Sequence, residues 1–84
     1  MPALDDLRLH ATKRSIAKVL SKSPRDYGSL FAEVQEDIGV GRTIFSSALH
    51  EMIGAKHIRR FRKRVNGRKR FYELTEEGRR VWIR

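Results

Sequence analysis

The chain has 84 residues, 39% of them hydrophobic, enough for one domain over residues 1–84 with a modest core. It has no cysteine, which excludes disulfides, thiol catalysis and cysteine-ligated zinc. Lys and Arg outnumber Asp and Glu by 19 to 10, a formal net charge of +9 that suits an anionic partner and not an acid-lined catalytic cleft.

The first segment opens with Pro2 and then Asp5 and Asp6, acidic residues that suit the positive end of a helix. It shows no apolar h-region, so no signal peptide is visible, and no run in the chain is long and apolar enough to span a membrane. The expected location is the cytoplasm. Leu9, Ile16 and Leu20, with Ala17 and Val19, recur at helical spacing through about Ser21. Arg8, Lys13, Arg14 and Lys18 lie between them as an outer face, and Ser23-Pro24 breaks the helix. A second helix begins at Tyr27-Gly28-Ser29, with Leu30, Phe31, Val34 and Ile38 as its apolar stripe and Gly39 as its stop. Glu33, Glu36 and Asp37 make it acidic, which assigns it a supporting role.

After the short turn Gly39-Val40-Gly41, a third helix is predicted over 42–54. Phe45, Leu49, Met52 and Ile53 form its buried stripe, and Arg42, Thr43, Ser46, Ser47 and His50 its small, polar, slightly basic opposite side. Two helices joined by a short glycine-containing turn, over about 28–54, outline a helix-turn-helix.

From His57 the apolar period changes to 2. Runs at 57–65 and 68–74 flank Asn66-Gly67, a strong signal for a two-residue hairpin loop. Such a loop sets Phe61 opposite Tyr72 and Arg59 opposite Leu74, with Phe61, Tyr72 and Leu74 sharing a face that joins the core. Residues 56–70 hold Lys56, Arg59, Arg60, Arg62, Lys63, Arg64, Arg68, Lys69 and Arg70 and no acid, while the acids and bases elsewhere cancel. The whole net charge therefore sits on this hairpin, the electrostatic footprint of a nucleic-acid binder. Thr75 is placed to cap a short last helix, with Glu76 and Glu77 in its first turn and Gly78 weakening it. Val81, Trp82 and Ile83 give an apolar end that either covers the core or forms a dimer seam.

The order of these elements resembles a winged helix-turn-helix. The stretch Gly39-Val40-Gly41-Arg42-Thr43-Ile44-Phe45-Ser46-Ser47-Ala48-Leu49, continuing to Ile58-Arg59-Arg60, is similar to the recognition-helix pattern of MarR-, PadR- and ArsR-like repressors. Gly67-Arg68, followed by Tyr72-Glu73-Leu74-Thr75-Glu76-Glu77-Gly78, looks like their wing-to-helix passage. The resemblance covers about residues 25–80. It implies an α+β fold: a three-helix core, a two-stranded β-hairpin wing over about 57–74 and a short C-terminal helix. It also implies binding of double-stranded DNA by a small, nucleoid-associated transcriptional regulator. The third helix would enter the major groove through Arg42, Thr43, Ser46, Ser47 and His50. The wing would lie on the backbone or minor groove through Arg60, Arg62, Lys63, Arg64, Arg68, Lys69 and Arg70. Pairing of two modules leads to the expectation of a homodimer through Val81, Trp82 and Ile83.

There are departures from the pattern. Lys56-His57-Ile58 stands where those families often have Gly-Leu-Ile, and Ser47 where many carry a long basic side chain. Two other readings stay open: a sequence-tolerant structural DNA- or RNA-binding protein, and a winged-helix protein-interaction module. The only histidines, His10, His50 and His57, lie on separate predicted elements, and no phosphate-binding glycine loop or nucleophile-and-base set is present. No metal, cofactor or enzymatic activity is expected.

Overall fold

A computed structural model describes residues 4–62 and 69–83. Helix α1 spans Leu4–Leu20, strand β1 Arg25–Asp26, α2 Tyr27–Ile38 and α3 Arg42–Gly54; β2 (Ile58–Arg62), β3 (Arg70–Leu74) and α4 (Glu76–Trp82) complete the order. α1 packs on both α2 and α3. Ile16 and Ala17 of α1, Leu30 and Val34 of α2, and Phe45, Ala48, Leu49 and Met52 of α3 are sealed from solvent. Phe45 sits at the centre, edge-on to Tyr27 (ring centroids 5.3 Å apart) and to Phe31 (5.1 Å). Losing a buried ring of this kind costs about 3–5 kcal/mol. Among the described residues, the polar side chains buried in α1 are satisfied. The Thr12 hydroxyl donates to the Arg8 carbonyl at 2.6 Å, and the Ser15 hydroxyl donates to the Asp37 carboxylate at 2.8 Å.

α2 stops where expected. Gly39 has φ 62°, a left-handed conformation open to glycine, and its N–H donates to the Gln35 carbonyl at 2.8 Å. At the other end, the Ser29 hydroxyl beside Asp26 holds that carboxyl below its ordinary value, so a negative charge sits where the helix dipole favours one. α3 ends differently. The Lys56 N–H donates to the Ile53 carbonyl and the His57 N–H to the Met52 carbonyl, the two bonds of a Schellman motif, and the left-handed residue is Lys56 at φ 64°.

The stripes are narrower than the spacing predicts. Ile38, expected in the core, is 38% exposed at the end of α2, and Ile53 is only half-buried. The sheet has three strands, not two, in the order β1-β3-β2, because the two residues after Pro24 pair with β3 as Arg25 with Tyr72 and Asp26 with Phe71.

The register of the hairpin also differs from expectation. Ile58 pairs with Leu74, Arg60 with Tyr72, Phe61 with Phe71 and Arg62 with Arg70, one residue away from the alignment predicted around Asn66-Gly67. That dipeptide lies outside the described residues. Burial decides the register: only this alignment puts Ile58, Tyr72 and Leu74, all buried, on one face. Phe61 then belongs to the opposite face and does not join the core.

Thr75 caps α4 as predicted, its hydroxyl oxygen accepting from the Gly78 N–H at 3.0 Å. Gly78 does more than interrupt that helix. A Cβ there would overlap the His57 carbonyl, so glycine is what lets α4 press against the root of β2. Trp82 adds a second tie, its indole N–H donating to His57 Nδ1 at 3.0 Å, with the His10 ring 5.4 Å away on α1.

Candidate nucleic-acid interface

The outward face of α3 is built from short residues on a well-anchored helix. Thr43, Ser47 and His50, at i, i+4 and i+7, are exposed and share one side. Two other predicted residues are engaged within the fold. The Arg42 guanidinium is exposed and lies over the Phe31 ring, 5.0 Å from its centroid. The Ser46 hydroxyl is 2.8 Å from the Tyr27 hydroxyl and is half-buried. It joins α3 to the start of α2. Just past His50, Glu51 is paired with Lys13 of α1 at 3.0 Å.

The hairpin is two-faced. Directly opposite residues in an antiparallel pair project to the same side. The inner side therefore runs from Ile58 and Leu74 through Arg60 and Tyr72 to Arg62 and Arg70. It changes from buried apolar at the root to exposed guanidinium at the far end. Arg62 and Arg70 stand opposite one another, an arrangement that destabilises a hairpin. Among the described residues, Arg60, Arg62 and Arg70 are exposed and take part in no ion pair, while the exposed Lys69 helps to hold the Asp26 carboxyl below its ordinary value. The outer side runs Arg59, Phe61, Phe71 and Glu73. There Arg59 Nε donates to Glu73 Oε1 at 2.6 Å, so its charge is compensated. The remaining predicted wing residues, Lys63, Arg64 and Arg68, lie outside the described residues.

Elsewhere the cations near acids are paired. Arg25 Nε donates to Glu33 Oε2 at 2.6 Å, and Lys18 lies 3.8 Å from Asp37. The acidic character of α2 is thus partly neutralised by its neighbours, which fits its supporting place. The structure brings together the inner wing arginines as one uncompensated cationic face, and it groups Thr43, Ser47 and His50 as one polar face. Sequence reasoning missed the two residues that hold the site, Phe31 beneath Arg42 and Tyr27 against Ser46. Phe31 was legible only as part of an apolar stripe, and nothing local connects Tyr27 to a serine 19 positions away.

No protein-family model matches the sequence, and no curated protein is similar to it. Its fold is similar to that of solved regulators. The transcriptional regulator BldR of Sulfolobus solfataricus has a TM-score of 0.68 at 24% identity, covering 86% of this chain and 49% of that one. A transcriptional regulator of Clostridium thermocellum has a TM-score of 0.73 at 14% identity, covering 98% of this chain and 82% of that one. The adhesin competence repressor of Streptococcus pyogenes has a TM-score of 0.68 at 17% identity over 83% of this chain. The chain spans about half the length of BldR and of the adhesin competence repressor. With three core helices, a wing continuous with the sheet and a last helix docked on the wing root, the chain has the winged helix-turn-helix fold.

Proposed function

We propose that this protein binds double-stranded DNA and acts as a small transcriptional regulator in the cytoplasm, on the nucleoid. α3 enters the major groove and the inner face of the wing lies on the backbone or in the minor groove. One observation carries the reading: Arg62 faces Arg70 across the hairpin, beside Arg60, with no described carboxylate to offset them. A fold keeps such a like-charge pair at a cost, and a line of phosphates removes that cost. The solved regulators that share the fold support the same role.

In this proposal Thr43, Ser47 and His50 meet base edges or phosphates, and Arg42 makes a guanine contact or clamps a phosphate. Ser46 acts behind them, through Tyr27. The side chains of that face are short, an observation that favours modest sequence preference over tight operator selection. A sequence-tolerant structural binder is the second reading. The exposed Leu7, Val81 and Ile83, at 55%, 41% and 38%, with Trp82 between the last two, support pairing of two copies through the terminal helices. Among the described residues no helix is long and apolar enough to cross a membrane.

The test is fluorescence anisotropy with a duplex of about 25 base pairs, titrated at several salt concentrations. Affinity should fall by roughly 0.9 log units per log salt for each phosphate engaged. Some six contacts would cost on the order of a thousandfold between 50 and 200 mM salt. A footprint then separates the readings: one protected site for a regulator, uniform cover for a structural binder. No binding at low salt would overturn both.

A further inference from the structure

We infer that the hydrogen bond between His57 and Trp82 is a proton-sensitive latch. It pins the end of α4 to the root of the wing while His57 is neutral, and it lets go when His57 is protonated. The latch needs no DNA; what it regulates, the proposed pairing of two copies through the terminal helices, rests on that reading. The indole N–H donates to His57 Nδ1 at 3.0 Å. An indole nitrogen only donates, so Nδ1 is the bare, accepting nitrogen of a neutral ring whose one hydrogen is on Nε2. A second proton has one place to go, Nδ1, and there it turns the acceptor into a donor facing another donor. An apolar side chain at this position would pack on the indole at any pH. Histidine makes the contact depend on one proton, gained or lost between about pH 5 and 8. The tie is present in the upper part of that range and is lost as the pH falls.

The surroundings offer the new charge no partner. On α4, Arg79 stands one turn before Trp82 and donates to the Ser21 carbonyl at 3.5 Å, while Glu76 and Glu77 are exposed. On α3, Glu51 is held by Lys13, and on β3, Glu73 is held by Arg59. On α1, the His10 ring lies 5.4 Å from the indole, and Lys56 precedes His57 on the chain. Among the described residues no carboxylate forms an ion pair with His57. The backbone holds the rest of the joint. The His57 N–H donates to the Met52 carbonyl at 2.8 Å, the Thr75 N–H donates to the His57 carbonyl at 2.9 Å, and Thr75 keeps its cap on Gly78. Protonation therefore frees the end of α4 and leaves its start and the wing root in place. What is freed is Trp82 with Ile83, two walls of a groove completed by Ala11, Arg14 and Ile38. The exposed Val81 and Ile83 of this same end are the residues proposed to pair.

Trp82 is the one tryptophan of the chain, so a proton–nitrogen NMR spectrum of the full protein carries a single indole peak. Between about pH 8 and 5 that peak should move upfield in a one-proton titration. The Gly39 amide, bonded to the Gln35 carbonyl at the end of α2, should hold its place. His57→Gln, which does not titrate, should abolish the movement, and His10→Gln should leave it. A stationary indole peak in the wild type overturns the inference and needs no variant, so a folding defect does not obscure it. A peak that still titrates in a folded His57→Gln protein overturns it, and so does a peak that stops titrating in His10→Gln. Sedimentation at the two ends of the range reads the consequence. Pairing that changes with pH in the wild type and not in His57→Gln supports the regulation, and pairing that is equal at both ends overturns it. A chain that stays single throughout is the failure of the pairing reading, and the indole titration still decides the latch.

Discussion

The exposed face of α3 and the inner face of the wing are both candidate DNA surfaces, yet they are made in opposite ways. On α3 the one long donor, Arg42, is already seated on Phe31, and Ser46 is occupied by Tyr27. The nearby acid Glu51 is tied to Lys13. What projects freely is short: Thr43, Ser47 and His50. On the wing, Arg60, Arg62 and Arg70 project with no ion-pair partner among the described residues, and two of them oppose each other. A preorganised surface of short donors gives orientation and register. A surface of unpaired cations gives affinity and attraction at a distance. The difference suggests a division of labour, with the wing holding the duplex and α3 deciding where it sits.

The largest effect should come from discharging the wing. Arg60→Gln/Arg62→Gln/Arg70→Gln should lower the salt slope by about three. Duplex affinity at 0.1 M salt should fall on the order of several hundredfold. The same change should raise thermal stability, by up to about 1 kcal/mol, because the Arg62–Arg70 repulsion is gone. Opposite signs for affinity and stability would mark these arginines as kept for binding. A salt slope equal to that of the wild type would break the comparison at its wing end.

A smaller and more selective effect belongs to Arg42. Lysine keeps the charge but lacks the planar fork that stacks on Phe31. Arg42→Lys should weaken binding to a selected preferred duplex by about 1–3 kcal/mol and relax preference at one base pair. In a binding selection, an equal loss across all sequences would instead assign Arg42 to the backbone, leaving α3 with short donors alone.

Most of this architecture is legible in the sequence. The apolar spacing of Ile16 and Leu20, of Leu30 and Val34, and of Phe45, Leu49 and Met52 marked three helices, and these residues are buried. Gly39 and Thr75 act as the stop and the cap their chemistry suggests. What was not legible depends on partners far along the chain. The alternation of the hairpin fits two registers, and a one-residue slip exchanges its faces. Asn66-Gly67 argued for one, while burial of Ile58 with Tyr72 and Leu74 selects the other and turns Phe61 outward. β1 is two residues long and too short to carry a period. Gly78 looked like a weak point in a helix because the His57 carbonyl that requires it comes from another element. The same distance hides the tie between His57 and Trp82.

Ser46 tests the comparison at its finest grain. By spacing it belongs with Arg42 and His50 on the recognition side, and by contact it belongs to the fold, half-buried against Tyr27. If contact governs, Ser46→Ala leaves the Tyr27 hydroxyl without its protein partner and lowers stability by about 1 kcal/mol. Duplex affinity should stay within about twofold of wild type. Tyr27→Phe should cost a similar amount, and the double mutant should cost less than the sum of the two, because each change removes the same bond. A denaturation cycle measures the coupling and anisotropy the affinity. A Ser46→Ala protein of undiminished stability that binds tenfold more weakly would show the hydroxyl turning from Tyr27 to DNA on binding. α3 would then be a surface that rearranges to meet its ligand. The division of labour would hold for the wing alone.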